Sequence, residues 1–373
     1  MNFRNLALIY LLLIYFISPI DLLGEKVLKY QEIDPGGKFG KNGKRKLGDE
    51  NYIIVEYFRE TQYTKFTNDN RNGISYIIYM DKIINSTDSF TIQANNFIEI
   101  HFSSPITSLE NFFNAEKDLN SRNINSVDLS HFDSSLVKST SEMFLWCMNL
   151  KSIDFSNFDT SLVTDMNSMF YGCNNLKSLN LSNFNTSLVT NMNRMFSFCW
   201  GLKSVDVSNF DTSLVTDMNN MFFFCYGLKE LDLSNFNTSL VTNLNRMFEN
   251  CNQLQSLNLS NFNTAVVTNM EGLFQLCEQL QSLDISNFNT TLATNVKYMF
   301  NGLNSIKYIN IYNIKDDNKL TSVLSQYLNK NITRNIIICQ NQQIINNTNS
   351  ITSCDYNNYI IVKYSKETKY TNI

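Results

Sequence analysis

Between Ile124 and Ile306 apolar and polar positions follow one pattern that recurs every 26 residues, and the stretch from Leu176 to Cys199 displays it in full. Leu179 and Leu181 alternate with polar neighbours, and this period of two predicts a short strand with one face buried. Farther along, Val189, Met192, Met195, Phe196 and Cys199 recur at three-to-four spacing, which predicts one face of a helical turn. Thr190 stands where an N-cap belongs, Asp165 and Asp217 put acid into the first turn of two units, and Gly172, Gly201, Gly227 and Gly302 follow as C-caps. A single unit has two apolar faces and cannot bury both, so units must stack with their strands in parallel. The expected fold is an α/β repeat solenoid of the leucine-rich type, with parallel strands on one face and short helical turns on the other.

The repeat also divides the chain. Cysteines at 147, 173, 199, 225, 251 and 277 keep the register, as do eight strand starts from Ile124 to Ile306. Ile106 to Phe113 aligns with Val189 to Phe196 and follows a strand-like Phe97–Phe102, so the solenoid is read over 97–314 with a degenerate first unit as its N-terminal cap. Residues 315–373 read as a C-terminal cap, with a helix from Leu320 to Asn329 and a strand from Ile336. Asn51 to Tyr57 recurs as Asn358 to Tyr364, so 51–96 is a β-rich module whose opening starts again near the last residues. Ahead of it, residues 1–24 have a short basic start and an apolar run from Leu6 to Ile20, the form of a secretory signal peptide, and 25–50 form a Gly- and Lys-rich linker.

Composition narrows the function. Lys and Arg number 30 against 34 Asp and Glu, a net charge of −4, so no surplus of positive charge awaits a phosphate backbone and no nucleic-acid partner is expected. With two histidines, His101 and His131, and no partnered nucleophile, metal-ligand spacing or phosphate loop, the expectation is a non-catalytic chain with no cofactor and no metal. The mature chain is expected to lack a membrane span and to be secreted, extracellular or at the cell surface.

The unit Leu-x-x-Leu-Asp-Leu-Ser-Asn-Phe-x-Thr-Ser-x-Val-Thr-x-Met-x-x-Met-Phe-x-x-Cys, as at Leu150 to Cys173, resembles the repeats of BspA-type leucine-rich repeat surface proteins. The resemblance covers 97–314. It implies a secreted or cell-surface protein of a microbe or protist, an adhesin-like binder of host or matrix proteins, although this chain carries no visible anchor.

Candidate contacts are sought where the repeats differ. Around the cysteine the first four complete units carry Leu145, Trp146 and Met148, then Tyr171, then Phe198 and Trp200, then Phe223, Phe224 and Tyr226; later units carry Glu249, Asn250, Asn252, Gln275 and Glu278. Trp146, Tyr171, Trp200 and Tyr226 are the expected contacts to an extracellular protein or glycan, with Lys151, Lys177, Lys203 and Lys229 as a charged rim. Self-association as a structural coat, or a glycan-binding module, are the alternative readings. The polar strand row from Asp128 to Asp284 is interrupted by Asn180 and Asn258 and is expected to be a solvated face, since a single line of ligands makes no calcium cage. The Asn183 to Asn287 row is expected to bond backbone turns. The six repeat cysteines are expected to be buried free thiols, and Cys339 and Cys354, outside the repeat, to form a disulfide.

Overall fold

The computed structural model describes residues 51–63, 73–80, 82–84, 90–311, 314–315, 319–328, 336–340 and 360–362. The signal-peptide and linker expectations for 1–24 and 25–50 lie outside the described residues. In chain order the strands are β1 (Tyr52–Tyr57), β2 (Thr61–Tyr63), β3 (Ile74–Tyr79), β4 (Lys82–Ile84), β5 (Phe90–Ile92), β6 (Asn96–Phe102), β7 (Ile124–Asp128), β8 (Ser152–Asp154), β9 (Glu230–Asp232), β10 (Ser256–Asn258), β11 (Ser282–Asp284) and β12 (Tyr308–Ile311). Then follow helix α1 (Lys319–Leu328) and strands β13 (Ile336–Gln340) and β14 (Ile360–Val362).

Repeat strands pair in parallel at the expected register: Val127 opposite Ile153, Leu231 opposite Leu257, Leu283 opposite Ile309. The sheets are open, and the units at Ser178–Asn180 and Ser204–Asp206 keep their place without ladder strands, joined at one end by Lys203 N–H donating to Lys177 O.

Each unit turns three corners, and from the second unit on each corner has an Asp or Asn whose Oδ1 accepts the N–H two residues on; in the first, Ser139 Oγ does this at the third corner. In one unit these are Asp154 with Ser156 (2.9 Å), Asp159 with Ser161 (2.8 Å) and Asp165 with Asn167 (2.9 Å). The last complete unit repeats them at Asp284, Asn289 and Asn295. Between corners, a buried threonine bridges units: the Thr160 hydroxyl donates to Asn185 O at 2.9 Å and accepts Asn185 N–H at 2.8 Å. The asparagine row does what was expected of it. Asn209 Nδ2 donates to Leu181 O and Phe184 O, and Asn235 to Val207 O and Phe210 O, so each amide stitches its unit to the one before.

The second face is not helical. In a helix every N–H returns to a carbonyl four residues back. Here Met169, Tyr171 and Cys173 N–H close turns three residues back, on Met166, Ser168 and Phe170, whereas Phe170 and Gly172 N–H reach the next unit, on Met195 O (2.9 Å) and Ser197 O (2.8 Å). The alternation needs a left-handed residue at every fourth position: Ser168 (φ 53°) and Gly172 (75°), then Arg194 (56°) and Phe198 (58°). Thr190 accordingly caps no helix; its hydroxyl bonds Thr164 O. Among the described residues α1 is the α-helix.

Inside, the rings of Phe113, Phe144, Phe170, Phe196, Phe222, Phe248 and Phe274 form one nearly parallel column with centroids 5.4–6.0 Å apart. Beside it run the six repeat cysteines, free and fully buried, each thiol donating to a phenylalanine carbonyl of the preceding unit, as Cys199 does to Phe170 O at 3.1 Å. Burial pushes the Cys199 and Cys251 thiols up to about 12.

The ends differ from the expected caps in one respect. The second half of the degenerate unit does stack, with Leu109 N–H on Ser139 O and Phe113 N–H on Met143 O. Its strand half does not: β6 lies between β3 and β1, and it is β1 that runs antiparallel along β7 and covers the first strand of the stack. Ile98, Glu99, Ile100, His101 and Phe102 of β6 are all buried, as suits a strand covered on both faces. At the other end β12 pairs in parallel with β13 across α1, and β14 lies antiparallel on β13, Ile361 opposite Ile337. The duplicated motif thus holds equivalent places: each copy covers the outer strand at one end, where an open edge would invite pairing.

Candidate functional site

Two surfaces of the stack have the shape and chemistry to engage a partner. The first is a shallow groove of about 480 Å³ on the strand face, lined by Ser126, Asp128, Ser152, Asp154, Asn180 and Ser182 among others. Asp128 and Asp154 each give Oδ1 to the N–H of the serine two residues on, at 2.8 and 2.9 Å. Asn180 and Asn258 fill the same role, because an amide oxygen closes the corner as well as a carboxylate does. The row is therefore built for the fold.

The second is the flank beside the cysteines. The structure brings the four predicted aromatics together through Phe198: Trp146 meets Tyr171 at 5.1 Å, Tyr171 meets Phe198 at 5.2 Å, Phe198 meets Trp200 at 6.4 Å, and Trp200 meets Tyr226 at 6.4 Å. Their depths differ. Tyr171, Trp200 and Tyr226 are half-buried, whereas Trp146 is only 8% exposed and packs with Ala115 and Leu145. The physical reason is Gly172 in the next unit: a Cβ there would lie 2.3 Å from Trp146 Cε3, so the missing side chain is what lets the indole lie down. Trp146 supports the flank from below. Burial, and then Glu278, push the Tyr226 hydroxyl up.

Lys177, Lys203 and Lys229 are exposed along the corner between this flank and the strand face. Lys151 is engaged, its Nζ lying 5.2 Å from the Phe58 ring. Of the expected disulfide pair, Cys339 sits in β13 opposite Asn310, and Cys354 lies outside the described residues. The two histidines flank Tyr52, with ring centroids 5.0 Å away for His101 and 4.7 Å for His131, and His101 Nε2 is 3.0 Å from Glu99 Oε2.

Toward the C-terminal units the aromatics give way to an ionic cluster. Arg246 lies 3.4 Å from both Glu249 and Glu271, and Asn295 donates to Glu271 at 2.8 Å. The sequence singles out Glu249 as variable, but the pairing becomes visible only when successive units are stacked. Burial is the main force on Glu249 and lifts its carboxyl to about 7 against the opposing pull of Arg246, with Glu271 adding to the rise. Because the folded value exceeds the unfolded one, ionisation works against the fold. Stability from this site is full below about pH 4.5, falls as pH rises, and is gone above about 7, a difference on the order of 3 kcal/mol. Glu249→Gln should therefore unfold at a higher temperature than the parent at pH 8 and at nearly the same temperature at pH 4. Equal midpoints at pH 8 would show that Glu249 ionises without penalty.

Comparison with known proteins adds the family. No curated protein matches the sequence. Among solved structures, a crystal structure of the T. pallidum leucine rich repeat protein is similar at 20% identity, over 42% of this chain and 78% of that one, with a TM-score of 0.24, a superposition too loose to carry an argument. The family model described as "Mycoplasma protein of unknown function, DUF285" matches twice, over residues 138–230 and 223–335, which together run through the repeats and span more than half of the sequence. The chain belongs to that family.

Proposed function

We propose that this is a non-catalytic binding protein of the BspA-like leucine-rich repeat kind, exported to the cell surface or medium, that holds an extracellular protein partner on its aromatic flank. The observation that carries the reading is the continuous set of ring contacts from Trp146 to Tyr226, three of whose predicted members are half-buried rings at the surface. Such a set offers large rigid contact area at little entropic cost, and aromatic anchors of this type carry most of the energy in protein interfaces. Lys177, Lys203 and Lys229 supply a charged rim along the same edge, suited to steering an acidic partner.

The test begins with capture of extracellular proteins and glycans by the purified chain, followed by titration of whatever is retained. Trp200→Ala and Tyr226→Ala should each weaken binding by more than about 1 kcal/mol with the thermal midpoint preserved. Full affinity in a folded Trp200→Ala/Tyr226→Ala double variant would remove the flank from consideration and leave the strand-face groove as the better candidate. Retention of glycans in place of proteins would convert the same rings into a sugar platform.

A further inference from the structure

One column of the repeat breaks the rule that large apolar residues are buried. From Leu136 to Leu292, at every twenty-sixth position and with Val266 at the sixth rung, seven side chains are 37–56% exposed. The local reason is the alternation of a short extended segment: Leu188 and Thr190 face out while Val189 between them is fully buried. The threonine column beside it, Thr164 to Thr294, ties up its hydroxyls along the stack, each bonding the carbonyl one unit back, as Thr216 does to Thr190 O at 3.3 Å. With those hydroxyls engaged, the exposed leucines and threonines form one strip along the stack that is poor in free polar groups. On the other side of the leucines runs a column of Ser135, its serine equivalents, Ala265 and Thr291.

We propose that this strip is a self-association face whose occupant is the same strip of a second copy of the chain. Three observations favour a copy over an unrelated partner. The strip repeats once per unit, so a ligand without that repeat meets a few rungs, whereas a second copy related by a two-fold axis meets every rung with an identical one. Its size fits: seven leucine-type, seven serine-type and six threonine positions, with Lys138 at the first rung of the threonine column, make twenty-one residues, within the 20–30 per side of a standard stable interface. It is also poor in charge. With 17% of the chain charged, about three or four charged residues are expected among any twenty-one, and these columns contain one, Lys138 at the end of the strip, in keeping with the depletion of charge that interface cores generally show. The strip uses different columns from the aromatic flank, so self-association and partner binding are separable.

The test is cross-linking at the middle rung. In either two-fold arrangement Leu214, fourth of the seven, faces its own counterpart, so Leu214→Cys should form a covalent dimer under mild oxidation, measured against the unsubstituted chain as background. Gln253→Cys, exposed on another face, should not exceed that background. Adding Leu188→Glu and Leu240→Glu to Leu214→Cys should lower the cross-linked fraction at least about tenfold with the thermal midpoint unchanged. Two results would overturn the proposal: no dimer above background from Leu214→Cys, or a dimer whose yield the two glutamates leave intact. If Trp200→Ala and Tyr226→Ala abolish partner binding while the cross-link persists, the two surfaces are confirmed as independent.

Discussion

Replacing Leu179 and Leu181 together by Asp should split the unfolding of this protein into separate transitions. Leu181 is fully buried and Leu179 7% exposed, and each sits between its counterparts in the neighbouring units. Losing two such side chains forfeits about 2–5 kcal/mol each, and the carboxylates add the cost of an unpaired buried charge. The contacts of a repeat stack are with nearest neighbours, so the damage is not averaged over the molecule. The units before it are held to one another through Ser134 and Asp159, those after it through Val207 and Asn235 and through Thr212 and Asn237, and both sets remain intact. Differential scanning calorimetry of the variant should therefore show two transitions, the lower one displaced by more than 10 °C on the scale at which about 1 kcal/mol moves a small domain several degrees. A single transition at the parent's temperature would mean that the 178–181 rung contributes nothing to the stack.

The period was legible because the same contact is made again and again, so one substitution pattern is printed many times. The strand register and the buried leucines follow from it, whereas α1 and β13, beyond the repeat, were legible only from their local pattern. The helical turns did not survive, for a specific reason. Consecutive turns with a left-handed residue at every fourth position bury side chains at the same three-to-four spacing as a helix, so Val189, Met192, Met195 and Cys199 fit both equally well. A discriminating signal was present in Gly172, Asn220, Asn250 and Gly272, residues tolerant of positive φ that recur in mid-segment, where a helix would disfavour them. The exposed leucine column was hidden for a different reason. Leu188 reads in sequence like Leu181, and only the corner at Asn185, where Oδ1 accepts Ser187 N–H, turns one outward and leaves the other inside. The aromatic flank was legible in position and not in depth, because depth is set across units by a residue that has no side chain.

That residue supplies the second large effect. Gly172→Ala should destabilise the protein by about 2–4 kcal/mol, from two additive causes. The backbone at Gly172 is left-handed, φ 75°, which costs an alanine about 1–2 kcal/mol. The new Cβ also lands 2.3 Å from Trp146 Cε3 and 2.8 Å from Cδ2, and the indole is too enclosed to retreat without opening the packing against Leu145 and Ala115. The two causes separate in a double-mutant cycle. In a Trp146→Leu background, itself destabilised by the lost ring, Gly172→Ala should cost only the backbone share, giving a coupling of about 1–2 kcal/mol between the sites. Thermal or denaturant unfolding of the four proteins reads this directly. Strict additivity would mean that the ring does not lie over the glycine, and that Trp146 is free to stand out from the flank as a contact. With the coupling present, Trp146 acts on a partner only through the rings it props up. Trp146→Leu should then weaken binding no more than its disturbance of Tyr171 and Phe198 requires, whereas Trp200→Ala removes a contact outright.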